Sequence, residues 1–144
     1  MKPIVIATDL THTTESAIRH GMTLARGLGA DVVLVHAWEP PAIAVMDATL
    51  ALPPDQLAVH VGALQRRLDE VAERFRPEHS RLSTRLIEGP PAAAIANFVQ
   101  EADAQMVVVG TSAPRFLTRL LGSTAESVVR TAPCPVLVVR AAIA

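Results

Sequence analysis

Short β-branched apolar runs alternate along this chain with longer stretches in which apolar residues recur every three or four positions. Ile4-Val5-Ile6-Ala7 is a run of strand length and stops at Thr8-Asp9. Thr11, Thr13 and Thr14 offer N-caps for a helix whose Ile18, Met22, Ala25 and Leu28 share one face, with Gly29 as its stop. Val32–Val35 predicts a second strand, ending at His36-Ala37-Trp38. Leu57, Val61, Leu64, Leu68, Val71 and Phe75 make the apolar stripe of a second helix, closed before Pro77. Leu82–Glu88 predicts a third strand, polar at Ser83 and Arg85 as suits a sheet edge. Gly89-Pro90-Pro91 turns the chain into a third helix with Ala92, Ile95, Ala96 and Val99 facing inward. Met106–Val109 predicts a fourth strand, ending at Gly110. A helix opening at Ser123 carries Ala125, Val128 and Val129 and is broken by Pro133-Cys134-Pro135, before a fifth strand at Val136–Val139.

The alternation predicts an α/β protein, a doubly wound five-stranded parallel sheet with helices on both faces. Strands that read as continuous apolar runs fit burial on both sides. Residues 1–144 have the length of a single domain. The segment Glu39–Pro54, with paired prolines at both ends, predicts an irregular loop anchored by Trp38. Loops of that length act as lids, interfaces or mobile segments. Two common strand orders, 3-2-1-4-5 and 2-1-3-4-5, fit the pattern. Ligands of doubly wound sheets bind beyond the carboxyl ends of the strands where the winding reverses. The first order places that crevice between strands one and four, lined by Asp9, Gly110 and their loops.

Composition narrows the partners. Thirteen Lys and Arg against 14 Asp and Glu give a net charge of -1, which suits neither nucleic acid nor an anionic membrane surface. The longest apolar runs fall far short of the roughly 20 residues of a membrane span. Ile4–Ala7 is too short for the core of a signal peptide. The single cysteine, Cys134, allows no internal disulfide, so a reducing, cytoplasmic location is expected.

The segment from Gly110 to Thr124 holds the candidate chemistry. A glycine where strand meets loop permits close backbone approach. Gly122-Ser123-Thr124 opens a helix, and a helix N-terminus presents free N–H groups and partial positive charge to phosphates. Arg115 and Arg119 add charge nearby. Each piece also has a plain structural reading. Ser123 and Glu126 have the spacing of a capping box, and Asp9 can cap the first helix or hold a turn.

No Gly-x-Ser-x-Gly elbow and no Gly-x4-Gly-Lys-(Ser/Thr) loop occur. The five histidines have no metal-site spacing. His12 and His36 lie nearest the predicted crevice, as polar wall residues. His60 and His79 read as surface residues and Cys134 as a small buried one. The expectation is therefore a protein without catalytic or metal-binding residues.

The chain resembles the universal stress protein family over nearly its whole length. The matching pieces are Ile4 to Asp9, Ala25-Arg-Gly-Leu-Gly-Ala30, and Glu88-Gly-Pro90. Most specific is the run from Met106-Val-Val-Val-Gly110 through Leu120-Leu-Gly-Ser123 to Ala132-Pro-Cys-Pro-Val-Leu-Val-Val139. The resemblance implies the 3-2-1-4-5 sheet, a homodimer through the last strand (Val136 to Val139) and a role in stress tolerance. That strand would be an edge, and an uncovered apolar edge invites pairing. One branch of the family binds ATP through Gly-x2-Gly-x9-Gly-(Ser/Thr). On that resemblance Asp9, Val35 and His36 flank base and ribose. Gly110, Gly122, Ser123 and Thr124 meet the phosphates of ATP or a related adenine nucleotide, with Mg as the accompanying ion, and Ala113 and Arg115 stand in the same loop. The sequence departs from the motif twice. Ala113 stands where the second glycine belongs, and eight residues rather than nine separate it from Gly122. Alanine at a positive-φ position costs about 1–2 kcal/mol. Pro114 removes a backbone donor and pushes Ala113 toward extended conformations. Two functions follow as expectations. One is a nucleotide-binding regulatory module. The other is a dimeric interaction protein whose phosphate loop has degenerated.

Overall fold

The structure, a computed structural model, describes residues 1–111 and 121–141. Strand β1 (Ile4–Ala7) is followed by a 3-10 turn at His12–Thr14, helix α1 (Glu15–Leu28) and β2 (Val32–Trp38). Two short strands come next, β3 (Ala42–Val45) and β4 (Ala48–Ala51). Then follow α2 (Pro54–Phe75), β5 (Leu82–Glu88), α3 (Pro91–Glu101), β6 (Met106–Thr111), α4 (Ser123–Thr131) and β7 (Val136–Arg140).

The main sheet runs β5-β2-β1-β6-β7, and every neighbouring pair in it is parallel. Counting only its own strands, this is the 3-2-1-4-5 order. The chain winds outward from β1 to β2 and β5, then crosses back to β6 and β7, so the reversal falls between β1 and β6.

Pleating sorts the side chains into two apolar layers. Ile4, Ile6, Leu34 and Val108 pack with Ile18 and Met22 of α1 and Leu68 and Phe75 of α2. Val5, Val35, Val107 and Val109 pack with Ile95, Phe98 and Val99 of α3 and Val128 of α4. Adjacent residues of one strand thus serve opposite faces, as period-2 alternation requires.

Several expectations need correction. Glu39–Pro54 is not an irregular loop throughout: β3 and β4 pair antiparallel, from Ala42↔Ala51 to Val45↔Ala48. The turn residues Met46 and Asp47 both have positive φ, 45° and 66°. That mirror-image turn suits the twist of a hairpin but normally recruits Asn-Gly, so the sequence gives little warning of it. Leu28 does not share the burial of Ile18, Met22 and Ala25 and is 45% exposed, and in α4 Val128 is buried while Val129 is 46% exposed. Leu28 is the last residue of α1, and Val129 lies about 100° round its helix from Val128. Leu57 and Val61 are half-buried, and full burial of the α2 stripe begins at Leu64.

The caps differ as well. Thr11 caps the 3-10 turn by accepting the Thr13 N–H, while Thr14, at the start of α1, makes no side-chain cap. Gly29 ends α1 in the left-handed region, and Ala30 N–H donates to the Ala25 carbonyl. The Ser123/Glu126 capping box does not form. Gly122 occupies the N-cap position, Ser123 is already helical, and Glu126 pairs with Arg130 at 2.7 Å. The Trp38 ring meets the His60 ring of α2 at a tilt of 57°, centroids 6.1 Å apart, and so ties the end of β2 to that helix.

Candidate functional site

A cavity of about 310 Å³ opens at the carboxyl ends of the central strands, at the winding reversal. Its floor is Ala7 to Asp9 after β1 and Val109 to Thr111 of β6. Pro91 and Ile95 of α3 form one apolar wall, and Ala37 continues it from β2. Gly122 to Ala125, the opening of α4, line it beside α3.

The β1 end is held by a hydroxyl network. Thr8 N–H donates to the Val35 carbonyl, carrying the β1–β2 pairing one residue past the strand. Leu10 has φ 67°, and its N–H donates to Thr8 Oγ1 at 3.0 Å. The Asp9 carboxylate is the acceptor at the centre. Its Oδ1 takes the Thr11 N–H at 2.9 Å and the Thr11 hydroxyl at 2.6 Å, and its Oδ2 takes the Thr13 hydroxyl at 3.0 Å. Thr14 Oγ1 lies 3.2 Å from Oδ1 and 2.8 Å from Thr8 Oγ1. Partial burial pushes the Asp9 pKa up, but donation from Thr11 (side chain and backbone), Thr13 and Thr14 outweighs it and holds the carboxyl below its ordinary value. Asp9 therefore holds a turn and stays ionised at neutral pH.

The α4 end supplies donors. In α4 the Glu126 N–H bonds to the Gly122 carbonyl, the first helical hydrogen bond. Gly122 N–H is taken by Thr111 Oγ1 at 3.0 Å. The N–H groups of Ser123, Thr124 and Ala125 belong to the first turn, where no intrahelical acceptor exists. They face an apolar-walled cavity with the positive end of the helix dipole behind them, an arrangement that suits an anion.

Asp9, His36, Gly110, Gly122, Ser123 and Thr124 all line this cavity. Val35 does not: it is fully buried against α3 and α4, and its carbonyl is occupied by Thr8. Ala113 and Arg115, with Pro114 and Arg119, lie outside the described residues. His36 is in phase with Leu34, and its Nδ1–H donates to the Thr8 carbonyl at 2.9 Å, bracing β2 against β1. Gly110 approaches the start of α1, where an added Cβ would meet Thr14, Ala17 and the Thr13 carbonyl at ordinary contact distances, 3.5–3.6 Å. His12 does not line the cavity; it is exposed, 3.2 Å from Glu15. His79 is half-buried, on the Ala30 carbonyl. Cys134 is half-buried, and burial raises its thiol pKa.

Sequence reasoning missed Ala37, Thr111, Pro91 and Ile95 as lining residues. Ala37 was readable in principle, since it is in phase with Val35 and so faces α3. Thr111 follows Gly110 directly, but its role depends on Gly122 returning to it. Among the described residues no three His, Cys, Asp or Glu side chains are grouped to hold a metal ion. No described helix is long and apolar enough to cross a membrane.

The fold is that of a doubly wound α/β protein with a crevice at its switch point. Residues 1–140 match the universal stress protein family model, and the chain belongs to that family. It is 33% identical to a universal stress protein of Methanocaldococcus jannaschii, over 96% of this chain and 82% of that protein. It is 32% identical to universal stress protein G of Salmonella typhimurium, over 96% and 99%. Among solved structures it resembles the universal stress protein from Archaeoglobus fulgidus in complex with dAMP. The identity is 25%, the TM-score 0.67, and the coverage 96% of this chain and 97% of that one.

Proposed function

We propose that this chain is a stress-response regulatory protein that holds an adenine nucleotide in the crevice between β1 and β6. The observation that carries the reading is that an apolar wall (Ala37, Pro91, Ile95) and the open first turn of α4 line one cavity. A purine fits the first and a phosphate the second. A relative that binds dAMP through the same fold supports it. Asp9 holds the β1 turn that forms the floor, and Ser123 and Thr124 present hydroxyl and N–H donors to the phosphates. Gly110 and Gly122 keep the backbone close, and His36 braces the β2 end. Ala113 and Arg115 belong to the same proposal, as does Mg accompanying the longer phosphate chains.

The chemistry proposed is binding and signalling rather than turnover. The protein acts as one domain and as a cytoplasmic homodimer through β7. Calorimetry with AMP, ADP and Mg-ATP tests the nucleotide: heat that disappears in Thr124→Pro, which removes one donor of the first turn, is expected. No heat with any of the three sinks the reading. A second reading, a dimeric interaction protein without nucleotide, is favoured by Ala113, Pro114 and the eight-residue spacing to Gly122. Under it, replacing Ala113 by Gly and adding one loop residue creates ATP binding that the unaltered protein lacks.

A further inference from the structure

We propose that the β3–β4 hairpin is a lid that folds onto the cavity when a nucleotide occupies it; the inference rests on the nucleotide reading above. Placement is the first argument. His36 and Ala37 line the cavity, and β2 ends one residue later at Trp38. Only Glu39, Pro40 and Pro41 separate Trp38 from Ala42, a link that spans roughly 13 Å at most. Each arm of the hairpin is four residues, about 13 Å long. The hairpin is therefore rooted beside the cavity lining, and link plus arm together reach up to about 26 Å from Trp38.

The second argument is what the hairpin exposes. All of β4 is exposed, Val45, Met46 and Leu50 are 44%, 94% and 55% accessible, and Asp47 is the only charged residue from Ala42 to Ala51. A two-stranded hairpin in water is marginal unless something packs on it. This one also holds Met46 and Asp47 at positive φ, where side chains are disfavoured. It is thus a segment that gains from a cover. The cavity gains from a lid: Ala37 and Pro91 are apolar and partly open to solvent, with Ile95 buried beneath them. A bound base would extend that apolar surface to the mouth, where Val45 and Leu50 can reach it.

Prolines make the movement a rigid one. Pro40-Pro41 and Pro53-Pro54 fix φ on both sides of the hairpin and restrict Glu39 and Leu52 before them, so the hairpin moves as a unit through the ψ rotations that these links leave free. The chain's single tryptophan, Trp38, sits at the root against His60 and reports the motion.

Hydrogen exchange of the full chain with and without saturating AMP, at several protein concentrations, tests the lid. Slowed exchange at residues 42–51 on AMP addition, independent of protein concentration, is expected, together with a change in Trp38 fluorescence. The double variant Val45→Ser/Leu50→Ser, both exposed positions, is expected to keep its thermal midpoint and to bind AMP about tenfold more weakly through faster release. AMP binding heat with unchanged hairpin exchange overturns the lid and leaves the nucleotide reading standing. Protection that appears without AMP and grows with protein concentration overturns it in favour of a second copy as the cover. No heat with AMP, ADP or ATP removes the nucleotide reading and the lid with it.

Discussion

Thr111 Oγ1 accepts the Gly122 N–H at 3.0 Å and so fastens the end of β6 to the start of α4. The two residues bracket the stretch that differs from the family's ATP motif, and the bond fixes where that stretch leaves and returns. Thr111 is 4% exposed, so water does not readily replace its hydroxyl. Thr111→Val keeps the shape and strands the Gly122 N–H. It is expected to cost about 1–3 kcal/mol in urea unfolding and to weaken nucleotide binding, while Thr111→Ser retains most of both. Equal stability of the Val and Ser variants would show that the bond does not hold the loop.

Gly21 brings α1 close against the sheet. A Cβ built there lies 2.4 Å from Ile6 Cδ1 and 2.8 Å from its Cγ1, and Ile6 is fully buried with no room to swing. Alanine gains roughly 1 kcal/mol of helix propensity over glycine. Overpacking in a well-filled core costs about 1–3 kcal/mol. Gly21→Ala is therefore expected to destabilise the protein, read as a lower urea midpoint. By contrast Gly27, where an added Cβ meets nothing within 4 Å, is expected to accept alanine with a gain.

The sheet was legible because its strands announce themselves as runs of β-branched residues bounded by Gly, Pro or Asp, and their order follows from the family likeness. Ile4–Ala7 and Leu82–Glu88 match their predicted limits residue for residue. The hairpin was not legible, because its turn is Met-Asp and not Asn-Gly, and its arms lack the alternation of a half-buried strand. In the site, Asp9 and Gly122 stood out by position. The Thr11–Thr13–Thr14 cluster read as helix caps, yet these hydroxyls converge on Asp9, a geometry that depends on Leu10 taking a positive φ. Val35 was misplaced by one pleat: Ala37, two residues on, reaches the cavity where Val35 is sealed in the core.

The proposed dimer has a specific backbone requirement. Val107 N–H donates to the Pro135 carbonyl and Ala141 N–H to the Thr111 carbonyl. With period 2 along a parallel ladder, Leu137 and Val139 direct their N–H groups to β6, while Val136 and Val138 direct theirs away from the sheet. Those outward groups are what a second copy would pair with. Val138→Pro removes one without touching the β6 ladder. Sedimentation is expected to show a dimer for the unaltered chain and a monomer for this variant. A monomeric unaltered chain at micromolar concentration would rule out the edge-strand dimer.

The Asp9 network makes the floor of the site sensitive to acid. The folded carboxyl lies below its ordinary value of 3.8, because donation from Thr11, Thr13 and Thr14 outweighs the desolvation that opposes it. A depressed pKa contributes stability that is fully present above the unfolded value and is lost as pH falls through the folded one. Thr13→Ala removes an exposed donor and leaves the core untouched. Its cost is expected to be modest, about 1 kcal/mol or less because the pair is open to solvent, and largest above pH ~5. The cost should shrink as Asp9 protonates in both proteins. In an Asp9→Asn background the same substitution should show no such pH dependence, since no carboxylate remains to titrate. Thermal midpoints of the four proteins from pH 7 down to the acid limit measure this. A Thr13→Ala cost that persists unchanged in acid would mean that the hydroxyl acts on the turn backbone and not on the Asp9 charge.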